Sequence, residues 1–242
     1  MRQMFIALGL LVGIGLFAQD FTPKETDGIR YQVLENLGKR AEKVALVLYL
    51  HGRSAKGTDN EAQLKASAVK AIRQYLVDNK IPAIFLVPQC PPGYDWAGRD
   101  NKPSYNGKAE ALVRKYLERA DVDPQRVYLC GVSMGARGAW KMLPDCPDLF
   151  AAALIASGRP ENVWPDDFTG IPLYVTAGSE ELSADPLQAF SEAIKKAGGD
   201  IRFDLLEGLN HHYACIKACA PERLHWLFSQ KRAVAPASAI PK

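Results

Sequence analysis

Ser133 stands in Gly131-Val132-Ser133-Met134-Gly135, directly after the apolar run Val127–Val132 and directly before a stretch of helical period. A serine flanked in this way, in a strand–turn–helix context, has its hydroxyl lifted off the end of a sheet. The sharp turn forces strained backbone angles on the serine, so its neighbours two away must lack a bulky Cβ. The helix that follows offers free N–H groups to developing negative charge. Together these residues predict a nucleophilic serine suited to acyl transfer.

A serine hydroxyl is a poor nucleophile until an imidazole takes its proton. The chain has four histidines, at 51, 211, 212 and 225. His211 and His212 follow the last apolar run, in Glu207-Gly208-Leu209-Asn210-His211-His212, at the sheet edge that also carries the serine. Position alone leaves both open as the base. His225 lies among Leu and Trp in a helical stretch and reads as a packing residue. His51 precedes the serine, the wrong chain order for a base in such an architecture, and is kept as a substrate-binding candidate.

The acid that orients the base is expected between serine and histidine, at the end of a strand. Leu173–Ala177 is that strand, followed by Gly178-Ser179-Glu180-Glu181-Leu182-Ser183-Ala184-Asp185. Glu181 is the first choice, Asp185 the alternative, and Asp166 and Asp167 are outsiders. Leu50-His51-Gly52-Arg53 closes another apolar run, and a glycine there lets backbone approach a ligand. The N–H groups of Met134 and of Arg53, or of Ser54, are the expected oxyanion donors.

These residues must be positioned by a fold. Apolar runs at Val44–Leu50, Ile84–Pro88, Val127–Val132, Ala151–Ala156, Leu173–Ala177 and Ile201–Leu206 alternate with helical segments at Glu61–Asn79, Gly107–Ala120, Met134–Leu143, Pro186–Ala197 and Pro221–Lys231. Near-continuous apolar runs fit strands buried on both faces. Their alternation with helices predicts an α/β architecture, a mostly parallel sheet with helices on both faces. Thr58 and Glu61 read as a capping box opening the first helix.

With 242 residues, 48% of them hydrophobic and 24% charged, the chain reads as globular. Net charge is +3, with no basic run longer than a pair such as Lys195-Lys196 or Lys231-Arg232, which speaks against nucleic-acid binding. Arg2 precedes a charge-free run at 4–17, followed by Ala18 and polar Gln19-Asp20. Fourteen residues are too few to span a bilayer, where a helix needs about 20. Residues 1–18 therefore read as an export signal, implying a secreted or periplasmic protein with no membrane span after cleavage. The fold is expected over 19–232 and a loose Pro/Ala-rich tail over 233–242. The five cysteines make no zinc pattern and no disulfide framework. A single disulfide, Cys215 with Cys219 or Cys90 with a distant partner, stays open.

The stretches Leu50-His51-Gly52 through Gly57-Thr58-Asp59-Asn60, Pro88-Gln89-Cys90-Pro91 with Trp96, Asp123-Pro124-Gln125-Arg126-Val127-Tyr128, Pro147-Asp148-Leu149-Phe150 and Trp226–Arg232, together with the serine motif, resemble the α/β-hydrolase superfamily. Within it they are similar to the secreted esterases that include polyhydroxybutyrate depolymerase-like, feruloyl esterase and predicted-peptidase proteins. The resemblance runs from about residue 44 to 232. It implies an α/β-hydrolase fold and a histidine in a Gly-x-x-His loop, which selects His211. It also implies an acid in a Gly-x-x-Asp pattern that aligns with Gly178-Ser179-Glu180-Glu181, where this chain has glutamate. Ala136-Arg137 stand where many relatives carry Gly and an aromatic. The implied activity is a cofactor-free serine carboxylic-ester hydrolase acting through an acyl-enzyme. Its partner would be a small-molecule or polysaccharide-bound ester, such as an acetyl or feruloyl ester; Trp96 is the candidate to stack on a sugar or aromatic acyl group. No long lid insertion is visible. The rival reading is a catalytically impaired fold that binds a carbohydrate or a partner.

Overall fold

Eight strands form one sheet: β1 (Thr22–Thr26), β2 (Ile29–Asn36), β3 (Val44–Leu50), β4 (Ala83–Pro88), β5 (Val122–Val132), β6 (Ala152–Ala156), β7 (Leu173–Gly178) and β8 (Ile201–Leu206). The computed structural model describes residues 20–36 and 43–232. The expected export signal at 1–18 and tail at 233–242 lie outside the described residues. Strand order is β1-β2-β4-β3-β5-β6-β7-β8. β1 pairs antiparallel with β2, and β2 antiparallel with β4; every other neighbouring pair is parallel.

The helices are α1 (Ser67–Asp78), α2 (Asn106–Leu117), α3 (Met134–Asp145), α4 (Ala184–Lys196), α5 (His211–Lys217) and α6 (Pro221–Ser229). Side chains alternate across a strand, and β3 shows the consequence. Leu46, Leu48 and Leu50 enter a core with α2, α3 and α4, while Ala45, Val47 and Tyr49 enter a second core with α1 and α6. All seven β3 residues are buried, which is why the run has no polar alternation. In α1, Ala68, Val69, Ile72 and Leu76 give one apolar stripe that covers the second face. Among the described residues no helix is long and apolar enough to cross a membrane.

The helix expected from Glu61 begins later. A 3-10 turn occupies Ala62–Lys65 and α1 starts at Ser67. Thr58 and Glu61 form no capping box. Instead Asp59 Oδ1 accepts the N–H groups of Glu61 and Ala62, at 3.0 and 3.2 Å, because its carboxylate stands one residue closer to them than the Thr58 hydroxyl. All five cysteines are free, so neither candidate disulfide forms.

Candidate active site

Ser133 caps the end of β5 and the start of α3 with φ +56° and ψ −114°. That left-handed region is costly for a residue with a Cβ and is held only where surroundings over-determine it. Here the constraint is contact between two segments of the fold. A Cβ on Gly135 would lie 1.8 Å from the Leu50 carbonyl oxygen, so only glycine lets α3 start this close to the end of β3. The same packing brings Gly52 against the serine: a Cβ built there would be 3.5 Å from Ser133 Cβ. Met134 is the first residue of α3, where a backbone N–H has no intrahelical acceptor. Arg53 and Ser54 line the same cleft as Ser133.

Ser133 Oγ lies 2.9 Å from His211 Nε2. His211 Nδ1 lies 2.7 Å from Glu181 Oε2. The structure therefore brings together Ser133, His211 and Glu181, and it leaves Asp185 exposed in the first turn of α4. Asp166 and Asp167 sit in a separate 3-10 turn, where Asp167 accepts the Trp164 N–H. His212 is exposed against the Tyr213 ring. His225 proves exposed rather than packed, with Nδ1 3.4 Å from the Tyr75 hydroxyl.

Glu181 is buried, yet all its acceptor capacity is used. Oε1 accepts the Ser157 hydroxyl and the Gly178 N–H, each at 2.7 Å, and Oε2 accepts Ser183 Oγ at 3.0 Å besides His211. Burial pushes its pKa up, but the hydrogen bonds from His211, Gly178, Ser157 and Ser183 outweigh this and leave it lowered. Gly178 is needed for this arrangement: a Cβ there would lie 2.1 Å from the Leu209 carbonyl oxygen, so the acid loop and the histidine loop touch through a glycine. His211 opens α5, whose cap is Asn210 accepting the Tyr213 N–H at 3.2 Å. The His211 pKa is raised, by contact with the Cys215 sulfur and by Glu181, against partial desolvation.

Trp96 and His51, expected against substrate, are placed differently. Trp96 is fully buried and donates Nε1–H to the His51 carbonyl at 3.0 Å. A buried indole needs such an acceptor, and satisfying it pins the loop to the core instead of presenting the ring. His51 is also fully buried, its ring 5.2 Å from that of Trp96. Its Nε2 accepts the Cys90 N–H at 2.9 Å and Nδ1 donates to the Gly52 carbonyl at 2.7 Å, which fixes the Nδ1–H tautomer. Burial lowers its pKa to about 4. His51 thus supports the Gly52 backbone from behind.

Two clefts flank the serine–histidine pair. One, of about 620 Å³, has mainly apolar walls that include Ala55, Ala66, Ala68, Val132 and Ile216, with Arg53, Lys65, Ser133 and His211 also lining it. The other, of about 410 Å³, is ionic: Arg99, Arg137, Arg159, Glu161 and Glu180 line it beside His211. Arg137 carries a buried Nε with no acceptor. Among the described residues no group of three or more His, Cys, Asp or Glu side chains converges as a metal site would require. Sequence reasoning missed Ser157, Ser183 and Cys215. Ser157 follows β6 directly, as Ser133 follows β5, and shares a positive φ of 57°; that strand-end position was its only signal.

The sequence profile of the dienelactone hydrolase family matches residues 96–233. Among solved structures, a thermostable esterase is 27% identical with TM-score 0.76, over 88% of this chain and 63% of that one. This chain thus spans less than two thirds of that esterase's length. A ferulic acid esterase is 15% identical with TM-score 0.67, over 87% of this chain and 97% of that one. An S-formylglutathione hydrolase from Staphylococcus aureus is 13% identical with TM-score 0.65, over 87% of this chain and 98% of that one. No curated protein sequence matches. The profile match covers more than half of the chain and contains Ser133, Glu181 and His211, and the sheet has the α/β-hydrolase arrangement: the chain belongs to the dienelactone hydrolase family of the α/β-hydrolase superfamily.

Proposed function

We propose that the protein is a serine esterase that cleaves carboxylic esters through an acyl-enzyme. The observation that carries this reading is the unbroken hydrogen-bond chain from Ser133 Oγ through both nitrogens of His211 to buried Glu181. Ser133 attacks the ester carbonyl while His211 Nε2 takes its proton. Glu181 holds the Nδ1–H tautomer and stabilises the imidazolium. The N–H groups of Met134 and Arg53 receive the oxyanion; one such donor in a serine hydrolase is worth about 3–4 kcal/mol in the transition state. His211 then protonates the leaving alcohol, and water, activated by the same imidazole, releases the acid.

The two clefts support an ester with unlike halves: an acyl group in the apolar cleft and a hydroxyl-rich alcohol portion in the ionic one. Acetyl or feruloyl esters of polysaccharides, or small esters, have that form. The ferulic acid esterase likeness points the same way. The charge-free run at 4–17 supports export to the periplasm or beyond. The rival non-catalytic reading drew its force from a glutamate at the acid position, and Glu181 reaches the imidazole. A fluorophosphonate probe tests the reading directly. It should label the wild-type protein at Ser133, located by peptide mass, and leave folded Ser133→Ala unlabelled. A folded wild type that stays unlabelled overturns the reading.

A further inference from the structure

Two nucleophilic atoms face one nitrogen. Nε2 of His211 meets Ser133 Oγ at 2.9 Å and Cys215 Sγ at 3.8 Å. The contact is built by helix geometry. His211 and Cys215 stand four apart on α5, so they share a face. Asn210 caps that helix, and Ala214 buries its inner side against the molecule. A hydrogen bond of up to 4 Å is normal for sulfur, which is large and a weak acceptor.

We propose that Cys215 is a positioning residue for His211, its sulfur accepting the Nε2–H of the imidazolium formed when Ser133 has given up its proton. The proposal rests on the serine esterase reading for its role in turnover, though the contact itself does not. Without Cys215, the new Nε2–H has only Ser133 Oγ and the leaving oxygen to address. The sulfur provides a third acceptor that keeps the ring in line while the proton waits for the leaving alcohol. No bond to sulfur forms or breaks. The proton passes from Ser133 Oγ to Nε2 and on to the leaving oxygen.

The other groups around the imidazole do not duplicate this. Glu181, after β7, addresses only Nδ1. Ser133, from the β5–α3 turn, is the reacting hydroxyl. The Cys215 contact favours the charged imidazole, and so does Glu181, against desolvation of the ring; hydrogen bonding to the charged form raises a base's pKa.

The test is the pH profile of kcat/KM for p-nitrophenyl acetate with wild type, Cys215→Ala and Cys215→Ser. Serine keeps an acceptor at the same place and is the conservative rescue. The acid limb, which reports protonation of the free enzyme's base, should move to lower pH in Cys215→Ala by on the order of half to one unit. Cys215→Ser should return part of the shift. A merely structural role would lower the rate at every pH and leave the limb in place. The His211 imidazole titration, followed by NMR in the same three proteins, needs no turnover. If the wild type hydrolyses nothing, the esterase reading fails and the NMR shift still decides the contact. The same acid limb and the same titration midpoint in wild type and Cys215→Ala would overturn the proposal.

Discussion

Glu181 reaches His211 from inside the protein: its side chain keeps 2% of its exposure, that of His211 keeps 54%, and Oε2 and Nδ1 are 2.7 Å apart. The Glu181 carboxylate is fixed by four donors while the His211 imidazole stands at the cleft surface. A carboxylate held in this way cannot swing to another partner, so the imidazole tautomer is set before substrate arrives.

It follows that Glu181→Gln should cut kcat by roughly a thousand- to ten-thousand-fold, because an amide favours the wrong imidazole tautomer. Asp185→Asn, at an exposed helix position, should leave kcat close to wild type. Steady-state kinetics of the two variants check this, and the reverse ranking would move the acid to Asp185.

His51 predicts how stability responds to acid. Its pKa is lowered from 6.5 to about 4 in the folded protein by burial. The unfolded chain therefore binds a proton that the folded one refuses. The corresponding stability is present above pH 6.5 and is lost as pH falls through that window towards 4. A single group with such a shift accounts for a loss on the order of 3 kcal/mol. Urea unfolding at pH 7 and at pH 4.5 measures it; a flat profile between them would contradict a buried neutral His51.

Trp96→Phe should lower stability by about 1–3 kcal/mol, because it leaves the buried His51 carbonyl without its donor. KM should not change, since the ring touches no cleft. A raised KM with unchanged stability would return Trp96 to the substrate site.

Gly135→Ala should cost about 3 kcal/mol or more, or abolish folding, because the new methyl group meets backbone that has nowhere to move. A urea midpoint equal to wild type would contradict the close packing of α3 on the end of β3.

The parallel half of the sheet was legible because full burial on two faces demands continuous apolar runs. β3 and β8 have the expected bounds, β4, β5 and β7 contain their runs, and β6 starts one residue into its run. The β1–β2 hairpin was not legible. β1 reads Thr-Pro-Lys-Glu-Thr, a mostly exposed edge with no apolar period, and β2 mixes polar residues into its run. Helix α5 is seven residues long, too short to show a period, and is made by the Asn210 cap. The juxtaposition of Ser133, Glu181 and His211 was legible because each sits just beyond a strand end, in a fixed chain order. Ser157 and Cys215 were not, because their contacts arise where strand ends and α5 converge in space. Trp96 misled because an aromatic in a loop looks the same in sequence whether its ring faces a sugar or the core.

The most direct test of the central claim is hydrolysis of p-nitrophenyl acetate by residues 19–242, measured beside Ser133→Ala at equal concentration of folded protein. The wild type should turn over many times, and the variant should fall to the background rate of the buffer. Equal rates in the two proteins would contradict a serine esterase centred on Ser133.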